Sequence, residues 1–242
     1  MFKTAIDCSE KVEVSPDKGS DTIRSMFGAI ANRYDITNTV LSFGIHFYWK
    51  YLVTSTLAAR PIRALDLCTG TGDLLPRLKA RHGTAVGGDF CFPMLEQGAA
   101  KFGTKFPLVQ SDALRLPFAD ASFDLVTVAF GVRNFENLTT GLKEIRRILK
   151  PGGQLAVLEF GQPRGSIFGP LYRWYSKNIM PLIGGLLTGN MAAYKYLPQT
   201  AAHFPCAEAF GEVLTECGYR CEAIRPLTFG IAYIYLGIKS ET

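Results

Sequence analysis

The chain has 242 residues, 48% of them apolar, and its 26 Lys and Arg against 21 Asp and Glu leave a formal charge of only +5. That balance disfavours a nucleic-acid binder, whose cations cluster on one face, and no unbroken apolar run approaches the ~20 residues that span a bilayer. The six cysteines form no Cys-x-x-Cys pair, and three histidines (His46, His82, His203) are too few for a zinc cluster, so neither a metal nor a disulfide framework is expected.

Residues 1–20 mix acids, lysines, Ser and Pro without the apolar stretch of a secretory signal. They read as a flexible arm ahead of one domain over 21–242, in a chain expected in the cytoplasm. Helical patterns follow around Asp21–Ile30 and His46–Ala59. From Arg63 strands and helices alternate: Ala64–Leu67 is a strand, Gly70-Thr71-Gly72 a turn, and Asp73 to Arg81 a helix with Pro76 in its first turns. Ala85–Asp89 forms the second strand, Pro93–Phe102 a helix, and Pro107–Gln110 the third strand. Phe123–Phe130 is a buried strand rich in β-branched and aromatic residues. Leu142, Ile145, Ile148 and Leu149 lie at helical spacing before Lys150-Pro151-Gly152-Gly153 stops that helix, and Gln154–Phe160 is the fifth strand. A helix near Ala207–Cys217 and two strand-like runs, Tyr219–Pro226 and Gly230–Lys239, complete the chain.

Such alternation predicts an α/β fold: a mainly parallel seven-stranded sheet with helices on both faces. Ligands in these sheets bind at the carboxyl ends of the strands, near the switch point. Residues 162–204 fit neither period and read as an insertion. It is rich in apolar and aromatic side chains (Phe168, Trp174, Tyr175 and Ile183 among them) with Arg164, Arg173 and Lys177 interspersed. Two readings fit it: core helices of a larger domain, or an apolar lid resting on a membrane.

The segment Asp66 to Asp73 closes the first strand, and Gly70 and Gly72 allow a tight turn and close approach of a ligand. Asp89 closes the next strand, where a carboxylate accepts both hydroxyls of a ribose. Together they indicate an adenosine-bearing cofactor. A dinucleotide fingerprint has a third glycine where this chain has Leu75, and Asp73 would set a negative charge beside a pyrophosphate. Asp66 and Asp73 suit an ammonium and a sulfonium, so the sign of the charge favours S-adenosylmethionine over NAD. Asp112 and Ala113 follow the third strand, where an acid takes an adenine amino group; as an alternative, Asp112 caps a helix.

LDLCTGTGD (65–73), DALRLPFADASFD (112–124), FGVRNFEN (130–137), EIRRILKPGGQLAVLEF (144–160), FGAIANRYDITNTVLSFGIHFYWK (27–50) and TGNMAAYKYLPQTAAHFP (188–205) resemble the quinone-biosynthesis C-methyltransferases. The resemblance covers nearly everything after residue 20. It implies the class I S-adenosylmethionine-dependent methyltransferase fold and methylation of a demethylmenaquinol or the corresponding ubiquinol precursor. It also implies a cofactor site including Thr71, Asp89, Asp112 and Ala113. Some relatives have a serine where Ala129 stands here, which leaves backbone contact only at that position. The CTGTGD turn leans toward the menaquinone branch.

Ring methylation needs a phenolate beside the attacking carbon, and a phenol like that of tyrosine titrates near ~10, so a base or a cation has to favour the ionised form. No metal is needed. Arg133 is the leading candidate to stabilise the phenolate, with pairing to Glu136 as its structural alternative. Asn134 is expected to orient the same oxygen and His46 and Tyr34-Asp35 to contribute from the lid, while Tyr34 and Tyr194 contact the ring or close the pocket. The expected partner is an isoprenoid quinol, with no nucleic acid; peripheral contact with the inner face of the cell membrane and a homodimer are both left open. A methyltransferase for another small apolar acceptor, a non-catalytic cofactor-binding protein and an NAD dehydrogenase are the competing readings.

Overall fold

The computed structural model describes residues 19–57, 62–163 and 165–240; most of the arm expected over 1–20 lies outside them, as do Cys8 and Arg164. Seven strands form one sheet in the order β3-β2-β1-β4-β5-β7-β6. They are β1 (Ile62–Leu67), β2 (Gly83–Asp89), β3 (Leu108–Gln110), β4 (Phe123–Ala129), β5 (Leu149–Phe160), β6 (Tyr219–Leu227) and β7 (Ala232–Lys239). β1 to β5 are parallel, and β7 runs antiparallel to both β5 and β6. The chain crosses over between β1 and β4, so the ends of β1, β2 and β4 meet at one edge, where a crevice is dictated by topology.

Side-chain alternation divides the core between the two faces. Leu65, Leu67, Val126 and Val128 pack with α6 (Leu138–Ile148) and α10 (Glu208–Glu216). Ala64, Leu125, Ala156 and Leu158 pack with α3 (Ile45–Ser55) and α4 (Leu75–His82). Leu142, Ile145 and Ile148 are fully buried, as their spacing requires. α1 (Ser20–Ile30) and α2 (Tyr34–Leu41) precede α3, and α5 (Phe92–Phe102) follows β2.

Two boundaries differ from the sequence reading. α4 starts at Leu75 rather than Asp73, because Gly72 holds φ at +85° and the turn runs on before helical geometry begins. Leu149 leaves the helix with ψ 139°, and β5 starts there; Pro151 to Gly153 are carried in a bulge opposite Phe123 and Leu125. Residues 162–204 are mostly helical: α7 (Phe168–Trp174), a π-helical turn (Tyr175–Ile179), α8 (Met180–Thr188) and α9 (Met191–His203). Their periodicity was broken by the π turn, the Gly184-Gly185 pair and Pro198. α2 was not expected either, being short and starting directly after a 3₁₀ turn.

Candidate active site

The loop leaving β1 is fixed from below by two carboxylates. Asp66 accepts the hydroxyls of Thr69 (2.6 Å) and Thr127 (2.7 Å), and burial pushes its carboxyl up to about 6 against the pull of those bonds. Gly70, at φ +58°, donates its N–H to Asp89 Oδ2 at 2.8 Å, and Cys91 N–H donates to Oδ1 at 2.8 Å. Burial raises the Asp89 carboxyl although three backbone N–H groups favour its ionised form. Each carboxylate oxygen has a second lone pair, so the backbone bonds orient Asp89 and leave it acceptor capacity toward the crevice.

Two non-glycine residues at this edge adopt left-handed backbone: Cys68 (φ +56°) after β1 and Phe130 (φ +59°) after β4. Between them a Cβ on Gly131 would stand 2.5 Å from Cys68 Cβ, so the two strand ends approach as closely as backbone allows. Such conformations cost about 1–3 kcal/mol each and cluster at functional sites.

Two cavities meet here. The first, of about 120 Å³, lies over the ends of β1, β2 and β3 and is lined by Asp89, Asp112, Ala113, Ser111, Asn134 and Phe27 among others. Ser111 Oγ is buried on that wall with no hydrogen-bond partner, an orphaned donor suited to a polar ligand. The second cavity, about 900 Å³, lies between α2, α3 and residues 160–203; His46, Asp66, Thr71, Arg133 and Phe160 stand on its wall. Tyr34, Cys68, Gly70, Ala129 and Phe130 belong to both. The lining of the first cavity suits adenosine-like chemistry, and the second, at about 900 Å³, is at the upper end of the ~300–1,000 Å³ of a small-molecule pocket.

Most of the expected site residues stand on these walls, with four corrections. Gly72 lines neither cavity; its missing side chain makes room for Leu75 and Phe102, 3.1 Å from where a Cβ would sit. Tyr194 is buried between α2, α8 and α9 against Gly184 and does not reach the cavity. Asn134 is separated from Arg133, because the 3₁₀ turn Val132–Asn134 sends Arg133 to the second cavity and Asn134 to the first, where it accepts a 3.4 Å bond from Tyr196. Asp73 offers no unpaired charge: Lys50 (2.8 Å) and Lys101 (2.6 Å) both bind it. Burial pushes its carboxyl up, but the two lysines outweigh burial and hold it at about 2. Asp112 caps a turn by accepting Leu114 N–H at 2.8 Å rather than capping a helix.

Arg133 is not a surface residue paired to Glu136. Its Nη1 donates to Glu159 Oε1 and to Phe130 O, both at 2.6 Å, and its guanidinium lies over the Phe160 ring. His46 is buried, its Nδ1 2.7 Å from Ser42 Oγ; burial and then Lys50 push the imidazole down to about 4, so it is neutral at physiological pH. Tyr34 stands where both cavities meet, and burial raises its phenol to about 12.

Sequence reasoning missed Glu159, Lys50 and Lys101. Asp35 accepts the Thr71 hydroxyl (2.7 Å) and Lys101 (3.0 Å), and Lys101 also reaches Asp73, so one lysine ties α2 to the glycine turn. Glu159 had a signal: an acid closing a buried apolar strand, as Asp89 does.

The profile of the ubiE/COQ5 methyltransferase family matches residues 15–239. A demethylmenaquinone methyltransferase from Deinococcus radiodurans is 44% identical over 92% of this chain and 94% of its own. The ubiquinone/menaquinone biosynthesis C-methyltransferase UbiE of Bdellovibrio bacteriovorus is 45% identical over 90% of this chain and 95% of its own. Among solved structures, a SAM-dependent methyltransferase from Thermotoga maritima, described as a possible histamine N-methyltransferase, superposes with a TM-score of 0.67 at 19% identity, covering 90% of this chain and 100% of that one. A SAM-dependent methyltransferase from Aquifex aeolicus gives 0.59 at 17%, covering 79% and 89%. These two likenesses bear on the fold.

Proposed function

The chain belongs to the ubiE/COQ5 methyltransferase family, and on that premise we propose that this S-adenosylmethionine-dependent enzyme methylates a ring carbon of a demethylmenaquinol, giving a menaquinol. The observation that carries the reading is the shared wall of the two cavities. A donor held through its adenosine by Asp89 and Asp112 would reach the acceptor cavity past Gly70 and Ala129, which line both.

When bound, the cofactor supplies an electrophilic methyl group on a sulfonium. Asp89 would take the ribose hydroxyls, Ser111 and Asp112 would hold the base, and Thr71 and Asp66 would hold the methionyl end. Asp66 as carboxylate complements its ammonium. On the acceptor side the guanidinium of Arg133, held by Glu159, favours ionisation of the ring hydroxyl beside the attacking carbon. His46, neutral, serves as a hydrogen-bond partner rather than a charge. Phe130, Phe160 and Tyr172 give the ring apolar walls and exclude water. Most of the acceleration comes from alignment across the shared wall, worth up to roughly 7–11 kcal/mol.

Residues 162–204 act as the lid over this cavity within a single domain spanning 21–242. The enzyme works at the inner face of the cell membrane, where an isoprenoid quinol resides. No helix among the described residues is long and apolar enough to cross a membrane, in keeping with peripheral contact. The test is incubation with labelled methyl donor and reduced demethylmenaquinone or, in a second arm, the demethylated ubiquinol precursor. Label on the naphthoquinol ring carbon is expected; label on the benzoquinol alone, or on neither, overturns the assignment.

A further inference from the structure

The exposed large apolar residues concentrate on the helices that wall the acceptor cavity. On α2, Ile36 and Val40 are one turn apart and both exposed, and Phe43 follows at 84% exposure. On α8, Leu182 and Leu186 repeat that spacing, with Leu186 at 85%. Leu171 and Trp174, three apart, are exposed on α7, with Ile167 at 81% just before it. These elements form one platform: α8 packs against α2, Arg33 donates to Leu187 O at 2.6 Å, and Tyr175 donates to Leu41 O at 3.0 Å while its ring meets Phe43. Patches of this kind on a soluble chain mark an interaction site.

Charge identifies the occupant. Between 161 and 207 the chain has Arg164, Arg173, Lys177 and Lys195 and no Asp or Glu, so this stretch supplies four of the formal +5. Arg173, Lys177 and Lys195 are exposed and stand on the wall of the acceptor cavity. Of the nearby acids, Asp35 is tied inward to Thr71 and Lys101. An apolar face among cations, without acids, complements an anionic bilayer; each cation near such a surface strengthens binding about fivefold. Phe43 joins the two features, since it lines the cavity and is also part of the exposed face.

We propose that the outer face of α2, α7 and α8 docks on an anionic lipid bilayer, and that the acceptor cavity opens onto this face beside Phe43 and Tyr175. The acceptor's ring then enters the cavity while its tail stays in lipid, and the enzyme never extracts its substrate into water. This rests on the isoprenoid-quinol reading above and adds the docking face and the path of entry.

The chain's two tryptophans make the test direct. Trp49 is buried in the core at 3% exposure, whereas Trp174 is on the proposed face at 56%. The full chain is titrated with phosphatidylcholine vesicles, with and without about a third phosphatidylglycerol, some brominated on the acyl chains. Expected is a blue shift and bromine quenching with anionic vesicles, both abolished by Trp174→Phe and weak with neutral vesicles. The pair Ile167→Asp and Leu186→Asp should lower vesicle affinity at least about tenfold while methylation of a tail-less quinol in solution stays unchanged. Absence of quenching at saturating anionic lipid overturns the proposal. So does a blue shift that appears with rising protein concentration and no lipid, since a second copy would then cover the face. Quenching without methylation of any quinol supports the docking face and refutes the acceptor assignment, so the two readings fail separately.

Discussion

Arg133 and Glu159 form a buried ion pair, Nη1 to Oε1 at 2.6 Å, with side chains only 3% and 0% exposed on the edge of the acceptor cavity. Removing one partner of a buried pair strands the other charge and costs about 3–5 kcal/mol. Glu159→Gln is therefore expected to destabilise by about that much, because Glu159 also accepts the N–H groups of Arg133 and Phe160. Arg133→Lys keeps the charge but is a bond too short to place its nitrogen where Nη1 donates to both Glu159 and Phe130 O. It should lower kcat about 100-fold with cofactor Kd within about threefold. Denaturant unfolding and isothermal titration beside turnover separate the effects; an unchanged kcat in Arg133→Lys would remove the guanidinium from the chemistry.

His46 is predicted not to titrate between pH 5.5 and 8. Burial and Lys50 place its imidazole at about 4, below the ordinary value of ~6.5. The unfolded chain therefore binds the proton more tightly than the folded one. The stability this lends the folded state is present above about 6.5 and is lost as pH falls through 4. In His46→Gln that loss is absent, so from pH 7 to 4.5 the variant's Tm should fall less than the wild type's. A histidine resonance that shifts with a midpoint near 6.5, assigned by its absence in the variant, would refute the burial argument.

Asp66 carries the opposite sign. Its carboxyl is raised to about 6 by burial, against an ordinary 3.8. The folded state therefore binds this proton more tightly, and the resulting stability is present below pH 3.8 and lost as pH rises through 6. At pH 8 the ionised group costs up to about 3 kcal/mol. Asp66→Asn is accordingly expected to raise Tm at pH 8, with the gain fading toward pH 4. On the proposed reading, in which Asp66 complements the ammonium, the same variant should bind S-adenosylmethionine about tenfold more weakly. Equal Tm differences at both pH values would show that Asp66 is not held ionised at a cost.

Sequence patterns reached the fold because its information is local. The alternation in Ala64–Leu67 and Phe123–Ala129, and the helical spacing of Leu142, Ile145 and Ile148, are written along single segments and reappear as the two faces of the core. The pairing of Gly70 with Asp89 was legible for the same reason: one is in the turn after β1 and the other closes β2, and topology brings them to a 2.8 Å bond. The acceptor side was not. Glu159 lies 26 positions from Arg133, and Lys101 lies 66 from Asp35; such pairings have no signature in spacing. Tyr194 failed for a different reason. An aromatic in an irregular stretch gives no sign of which way it points until α8 and α9 are packed, and the bare Gly184 opposite draws its ring inward.

The crowded junction between β1 and β4 gives the most specific prediction. Gly131→Ala would set a methyl 2.5 Å from Cys68 Cβ and 2.7 Å from its Sγ. Overpacking of this kind costs about 1–3 kcal/mol, and pushing the strand ends apart disturbs the wall shared by donor and acceptor. The variant should lose stability and bind the cofactor at least about tenfold more weakly. Cys68→Gly is expected to be mild, since it removes a side chain from a residue at φ +56°, where glycine carries no Cβ penalty. Combined, the two substitutions should recover most of what Gly131→Ala loses, because the methyl then occupies the space left by the Cys68 side chain. A double-mutant cycle on unfolding free energy and cofactor Kd measures that recovery. Simple additivity of the two changes would mean that contact between the strand ends does not set the geometry of the site.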